Sequence, residues 1–475
     1  MTAATSLDSG LRPLLEVQRK GFMANGAPTA EERRADLKAL EGLLLDNRSA
    51  IADALREDFG ARSRYETEIA EIATTLHTVK FARRHVGRWM RPRRRRTGIW
   101  FLPAANRLIP QPKGVVGIIV PFNFPVNLSV GPLTSVLAAG NRAMIKMSEF
   151  TPAIGELLAR LVAERFPAEK IAVVNGAMEV SQEFASLPFD HLVFTGSTAV
   201  GRHIMRAAAE NLTPVTLELG GKSPAIVGDD YPVAEAAKRI VWGKLFNCGQ
   251  ICIAPDYVLV PAGKEREFAD AAQAAARKLY PTLAGNDDYT AVINDRHYER
   301  LAGTLADARA KGAVVESVAD PAATRPERKL PFTVVLDPGD DMRVLQDEIF
   351  GPVLPVRTYG SVDDAIGYVN GHDRPLALYL FSKHRQTQER VLRHTTSGGV
   401  AINDVLMQYM QDDMPFGGVG PSGMGVYHTR EGFDTFSHLK PVFRQRGIGN
   451  FTGAQLLYPP YGRITDRLLG LMRKI

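Results

Sequence analysis

From Gly114 to Asn141 the chain carries no charged residue, and this stretch, GVVGIIVPFNFPVNLSVGPLTSVLAAGN, restricts what the surrounding protein can be. It is long enough to cross a bilayer. Yet Pro121, Pro125 and Pro132 each lack a backbone donor, and hydrocarbon offers no partner for the groups they leave unpaired. The stretch divides better into a buried strand at 115–120, a tight loop and a helix of small residues from about Leu128. A strand apolar at every position, followed by a loop and a helix, is the unit of a parallel sheet covered on both faces.

The same order recurs downstream. RAMIKMS (142–148) reads as a strand, and 151–166 as a helix with Thr151 as its cap and Pro152 in the first turn. IAVVNG and HLVFTGS read as strands, 198–212 as a helix, and 214–227 as strand again. Alternation of this kind predicts an α/β fold with a parallel sheet. Residues 31–90 are mainly helical in pattern, with Ile69, Ile72, Leu76, Val79, Val86 and Met90 on one stripe. A second α/β pattern begins near Glu265, and the Pro- and charge-rich 321–331 is expected to be a surface loop. At 475 residues the chain has room for two or three domains.

The net charge of +6 is local. Eight arginines lie within 83–96, and without them the chain is net negative by two charges. Such a run is ordinarily a solvated face, and this one lacks the interleaved aromatics of a nucleic-acid groove, so no nucleic-acid partner is expected. The N-terminal residues show no basic start followed by an apolar core, and two cysteines are too few for a disulfide-built secreted fold. A cytoplasmic location is the expectation.

Two glycine motifs are decoys. Gly418 to Gly423 matches G-x-G-x-x-G but follows no strand and contains Pro421. Gly196 to Gly201 has P-loop spacing, but Arg202 and His203 stand where Lys and Ser/Thr would grip phosphate and magnesium. Its place between a strand and a helix still leaves backbone amides free to face an anion. The ten histidines include no pair at zinc-ligand spacing, so no metal is expected.

Cys248 and Cys252, the only cysteines, lie in FNCGQICIAP. Both could be small buried apolar residues. Alternatively one is a nucleophile, since Gly249 and Gln250 break the regular pattern just before Cys252 and glycine permits close approach of a ligand. Asn123 is an amide in an apolar stretch, serving either as a brace or as a donor aimed at substrate. Glu218 ends a buried-strand pattern, where Glu is rare unless paired or functional. The residues by themselves thus offer a thiol, a carboxylate base and an amide donor.

Six stretches in order, PFNFP, FTGSTAVG, VTLELGGKSP, GQICIAPDYV, DEIFGPVLPV and MPFGGVGPSGMG, resemble the aldehyde dehydrogenase superfamily over nearly the whole chain. GQICIAPDY and YHTREGFDTFSH are closer to its class 3 branch, and residues 107–132 and 189–227 to bacterial coniferyl aldehyde dehydrogenases. Phe122 stands where Trp is common, Met147 where Pro is usual, and Thr429 where Gly usually follows YH.

The resemblance implies an α/β fold of two Rossmann-like domains plus a small β oligomerisation arm. The cofactor domain would take 1–90 and 113–216, the catalytic domain 217–429, the arm 91–112 and 430–447, and a tail 448–475. Cys252 matches the nucleophile, Glu218 the general base and Asn123 the oxyanion amide, with Cys248 a bystander. Lys146 and Glu149 match the adenine-ribose pair, Gly196, Ser197 and Gly201 the diphosphate turn, and Glu348 and Phe350 the grip on nicotinamide ribose and ring. The implied cofactor is NAD, with NADP the alternative. The implied reaction is oxidation of an aldehyde to a carboxylic acid through a Cys252 thioester. An aromatic, coniferyl-type aldehyde is the expected substrate, and a medium-chain aliphatic aldehyde the alternative. A coenzyme A-acylating or non-catalytic relative accords less well with the presence of Glu218, Asn123 and Cys252. A homodimer is expected. In the tail, Ile464, Leu468, Leu471, Met472 and Ile475 make an apolar helical face, but Arg463, Asp466, Arg467, Arg473 and Lys474 interrupt it, so no transmembrane segment is expected.

Overall fold

The computed structural model describes residues 10–446 and 452–473. Residues 1–9 of the expected cofactor domain, 447 of the arm, and 448–451 and 474–475 of the tail, including Ile475 of its apolar face, lie outside the described residues.

Three sheets organise the chain. The first has six strands in the order Gly423–Met424, Val215–Glu218, His191–Thr195, Val115–Ile119, Arg142–Lys146, Ile171–Val174. Its pairs are parallel except for Gly423–Met424, which runs antiparallel to Val215–Glu218. Val115–Ile119 and its two neighbours are buried at every position, as an all-apolar central strand requires. The helix Asn127–Ala139 that follows is buried along its whole length, so its small residues allow it to be sandwiched between the sheet and the helices Ala30–Asp46 and Thr74–Trp89.

The second sheet has seven strands in the order Val314–Ser317, Thr333–Leu336, Val353–Tyr359, Tyr257–Pro261, Pro224–Val227, Ala377–Phe381, Gly399–Ile402, parallel except at Val314–Ser317. A third sheet, antiparallel, joins Arg93–Arg95, Ala105–Pro112 and Ser437–Arg444. The segment 214–227 is therefore two strands in two sheets, and the boundary expected at 216/217 falls inside the first of them.

Local readings are corrected in three places. Thr151 occupies the N-cap position of Pro152–Ala163, but its side chain caps nothing and its hydroxyl is buried without a partner. The Asp58 carboxylate takes the cap instead, accepting from the N–H groups of Ala153 (2.8 Å) and Ile154 (3.0 Å). Ile69 leaves the expected stripe and is 44% exposed, because Thr67–Ala73 winds as a π-helix and the wider turn breaks the 3.6-residue register. The segment 321–331 is not a free loop. It contains the short helix Pro321–Thr324, and the buried Lys329 donates to the Asn286 carbonyl (2.9 Å).

Candidate active site

Asn123 follows the C-terminal end of Val115–Ile119, Gly196 follows His191–Thr195, and Glu218 ends Val215–Glu218. They gather at the carboxyl edge of the parallel sheet, where open α/β sheets place their ligand crevices. Cys252 arrives from the second sheet. After the helix Val233–Leu245 the backbone takes three consecutive left-handed steps, Asn247 (φ 50°), Cys248 (54°) and Gly249 (72°). Only glycine fits at 249, since a Cβ there would lie 2.4 Å from the Gly351 carbonyl oxygen. The Gln250 side chain fastens the turn, donating to the Ala291 carbonyl (3.0 Å) and accepting from the Ile293 N–H (3.0 Å).

The turn separates the two thiols. Cys248 is fully buried, its sulfur 4.0 Å from the Tyr289 hydroxyl, and burial pushes its pKa up to about 12. Cys252 is only partly buried and faces two cavities. Burial, then the Glu348 and Glu218 carboxylates, raise its pKa, so its resting form is the thiol.

The first cavity is an apolar funnel of about 740 Å³, counting its open mouth, walled by Phe124, Trp242, Phe246, Tyr409, Phe416 and Tyr427. The second is a longer cleft of about 1600 Å³, counted the same way, lined by Glu149, Gly196, Ser197, Glu348 and Phe350 among others. The two linings share three residues, Thr195, Glu218 and Cys252. Glu218 is 2% exposed, and among the described residues neither of its carboxyl oxygens has a hydrogen-bond partner. Burial alone pushes its pKa well above the usual carboxylate range. Asn123 lines the cleft and donates one N–H to the Gln250 carbonyl (3.0 Å), bracing the cysteine turn. Among the described residues its other N–H has no protein acceptor.

Two motifs build the far side of the cleft. Lys222 pairs with Asp256 and also donates to the carbonyls of Val344 and Asp347, both at 2.9 Å. Asp256 in turn accepts from the Ile349 N–H (2.9 Å). The loop carrying Glu348 and Phe350 is thereby held on both sides of Glu348. Gly220 leaves room for that carboxylate, whose Oε2 would lie 1.9 Å from a Cβ there. Burial, reinforced by Asp256, pushes Glu348 up to about 8. Phe350 sits at φ 50°, a strained conformation for a large side chain, with its ring against Phe122 (centroids 5.9 Å). Phe122 also meets Phe150 and His297, forming an aromatic cluster along the cleft.

Two residues expected at the cofactor are set back from the lining. Lys146 is buried, its ammonium donating to the carbonyls of Met147 (2.6 Å) and Gly176 (2.8 Å). Gly201 is a packing glycine, where a Cβ would lie 2.6 Å from Leu219. Two departures from the family pattern have structural counterparts. Met147 donates its N–H to the Val174 carbonyl (3.0 Å), a bond proline could not make, and Thr429 holds φ 43°, a conformation that favours glycine.

The cleft suits a dinucleotide by the chemistry of its donors. Ser197 caps the twelve-residue helix Thr198–Ala209, whose first amides face the cleft as an anion site, and a carboxylate stands at either side, Glu149 and Glu348, to accept from ribose hydroxyls. Among the described residues no group of three metal-ligating side chains occurs, and no helix is long and apolar enough to cross a membrane.

The sequence profile of the aldehyde dehydrogenase family matches residues 14–442. The chain belongs to this family. Its reaction is the oxidation of an aldehyde. This aldehyde dehydrogenase is 52% identical over 459 residues to a probable coniferyl aldehyde dehydrogenase of Pseudomonas aeruginosa, covering 97% of this chain and 95% of that one. Its fold matches that of Staphylococcus aureus AldH in a substrate-bound state, with a TM-score of 0.91, 36% identity, and 98% and 99% of the two chains covered. It also matches Staphylococcus aureus betaine aldehyde dehydrogenase in complex with NAD+, with a TM-score of 0.83, 27% identity, and 92% and 88% covered.

The funnel walls of this aldehyde dehydrogenase carry no local sequence signal. Trp242 lies in the last turn of the helix Val233–Leu245 and Phe246 just beyond its end, Tyr409 and Phe416 come from an irregular segment, and Tyr427 from another. Each looks like an ordinary core aromatic until the fold brings them together. Thr195, buried with an unpartnered hydroxyl at the junction of the two cavities, was equally silent.

Proposed function

We propose that the enzyme uses NAD to oxidise an aromatic aldehyde of the coniferyl type to its carboxylic acid. One observation carries the reading: an apolar, aromatic-walled funnel and a dinucleotide-shaped cleft meet only at Thr195, Glu218 and Cys252. An aldehyde entering by the funnel and a cofactor lying in the cleft would meet at that thiol. Aromatic walls suit an aromatic ring, offering it faces and edges: Trp242 and Phe246 are tilted at 5.7 Å, and Tyr409 and Phe416 meet edge to face at 4.8 Å between centroids. The name of the Pseudomonas aeruginosa relative supports the substrate class.

In this reading Cys252 is the nucleophile. Its resting thiol loses a proton to solvent before attack, which leaves Glu218, with its raised pKa a stronger base than an ordinary carboxylate once ionised, for the hydrolytic step. The thiolate adds to the carbonyl carbon, and the free N–H of Asn123 and the Cys252 backbone N–H hold the oxygen that becomes negative. A nicotinamide cofactor held by Glu149, Ser197, Glu348 and Phe350 would supply the redox chemistry as hydride acceptor, leaving the acyl group on Cys252 as a thioester. Glu218 then removes a proton from water, and the hydroxide attacks the thioester carbon, expels the Cys252 thiolate and frees the acid. Glu149 would bind the adenine ribose, with Lys146 behind it as a support. Gly196 and Ser197, with Gly201 packing their helix, would bind the diphosphate, and Glu348 and Phe350 the nicotinamide end.

The domain reading accompanies it: 1–90 and 113–216 for the cofactor, 217–429 for catalysis, 91–112 and 430–447 as a dimerisation arm, and 448–475 as a tail. The third sheet supports an arm, since it and the turn beside it expose Ile99 (67%), Leu102 (54%) and Phe443 (51%), surface that a second copy would cover. Two free cysteines accord with a reducing cytoplasm. The test is catalytic efficiency on cinnamyl, benzyl and medium-chain aliphatic aldehydes, with NAD and NADP, with and without coenzyme A. Highest efficiency on cinnamyl aldehydes with NAD, unaffected by coenzyme A, is expected. A preference for aliphatic aldehydes would overturn the substrate assignment.

A further inference from the structure

Arg62 and Glu71 are fully buried, yet they meet through a single contact of 3.3 Å. A buried pair with one contact is a poor source of stability, because two desolvated ions need several good bonds to offset their burial. Two of their other polar atoms bind backbone instead. Arg62 Nη1 donates to the backbone carbonyl of Asn123 (2.9 Å). Glu71 Oε2 accepts from the N–H groups of Val126 (3.0 Å) and Asn127 (2.7 Å). The guanidinium also lies against the rings of Phe59 (4.5 Å) and Phe124 (5.2 Å), and its Nε has no partner. One ion pair, Arg62 from the loop after Arg48–Phe59 and Glu71 from the π-helix Thr67–Ala73, therefore grips both ends of the loop 123–127 by its backbone. The grip extends to the cysteine turn, because Asn247 Nδ2 donates to the same Asn123 carbonyl (3.1 Å) and to the Gln250 carbonyl (3.2 Å), which also accepts from Asn123 Nδ2.

We infer that Arg62 and Glu71 are positioning residues that fix the Asn123 amide relative to the Cys252 turn, so that the oxyanion donor is in place before substrate arrives. The inference rests on the role proposed for Asn123. Neither residue lines the funnel or the cleft, so neither touches substrate or cofactor. Preorganised donors are effective only when held within a fraction of an ångström, and a backbone grip at both loop ends achieves this without crowding the amide.

The test compares the parent with the double variant Arg62→Met/Glu71→Leu, each with and without Asn123→Ala. An apolar pair of similar volume often preserves the stability of a buried ion pair. The double variant also leaves the Val126 and Asn127 N–H groups without an acceptor, so it is expected to lose several degrees of melting temperature but to keep its NAD dissociation constant within about twofold, while its single-turnover burst of reduced cofactor slows about tenfold or more. Asn123→Ala is expected to slow the parent burst about 100-fold and to add much less in the double background. A double variant of parental burst rate, with Asn123→Ala still damaging, would overturn the positioning role and leave Asn123 standing. An Asn123→Ala burst equal to the parent's would overturn both. Should the double variant not fold, Arg62→Lys takes its place in the same cycle. Its ammonium keeps the charge beside Glu71 but lacks the fork that reaches the Asn123 carbonyl at the same time, so its burst is expected to slow. An unchanged burst would overturn the inference.

Discussion

Lys222 and Asp256 form an ion pair beneath the loop that carries Glu348 and Phe350, with 13% and 4% of their side chains exposed. They come from LELGGK and CIAPDY, stretches that also hold the candidate base and nucleophile. The same two segments that supply Glu218 and Cys252 thus fix the opposite wall of the cleft.

Lys222→Met keeps the length of the stem and removes the ammonium. The loop loses its bonds at Val344 and Asp347, and Asp256 is left unpaired. Breaking such a pair costs about 3 kcal/mol of stability. The expected outcome is a KM for NAD raised about tenfold with a smaller fall in kcat, since the loosened loop is binding surface. Cofactor titration and thermal unfolding of the purified variant check it.

Cys252→Ser is expected to abolish dehydrogenation, because a serine hydroxyl supplies no usable anion near neutral pH. Cys248→Ser is expected to retain most activity. It buries a hydroxyl beside Tyr289 in an apolar setting, at about 1–2 kcal/mol of stability. Steady-state assays and denaturant unfolding of both variants decide, and a dead Cys248→Ser with normal stability would reverse the assignment.

Asp58→Ala is expected to cost about 1–2 kcal/mol by uncapping Pro152–Ala163, while Thr151→Ala changes stability by less than about 0.5 kcal/mol. Urea unfolding curves of the two variants make the comparison.

The contrast between Asp58 and Thr151 also marks the limit of what the sequence discloses. Thr151 stands in the right place before Pro152, and local propensity names it as the cap. The group that caps the helix is 95 residues away, and no local rule reaches it. The sheets were legible because runs such as 115–120 are apolar at every position, a pattern that few folds accommodate. The crossing between sheets at 219–223 was not, since both strands share one composition. Glu218 and Asn123 drew attention as polar groups out of place. Arg62 and Glu71 did not, because in a stretch rich in charge they look like any solvated pair until their burial is seen.

Glu149 is exposed at the lip of the cleft, where a ribose 2′-hydroxyl could donate to it and a 2′-phosphate would be repelled. NAD is therefore expected to be preferred over NADP. Glu149→Ala should narrow the ratio of kcat/KM values by about tenfold, chiefly through KM. Paired kinetics with both cofactors measure it, and an unchanged ratio would remove Glu149 from cofactor choice.

The last expectation joins activity and stability through one carboxyl. Burial raises the Glu218 pKa well above the usual range, so the folded protein favours its protonated form. A protonated carboxyl cannot accept from water, so steady-state turnover should rise with pH as Glu218 ionises. Stability should move the other way. A carboxyl raised on folding contributes stability that is complete below its unfolded pKa and lost as pH climbs through the folded value. Glu218→Gln, which cannot ionise, should therefore lose most steady-state turnover and its pH dependence, keep more of the first-turnover burst, and unfold at a higher temperature than the parent at alkaline pH. Stopped-flow kinetics across pH, alongside melting curves of the cofactor-free protein, test both halves. Equal loss of burst and steady state would assign Glu218 to thiol activation as well as hydrolysis. A parent that gains stability over the variant as pH rises would contradict the raised pKa itself.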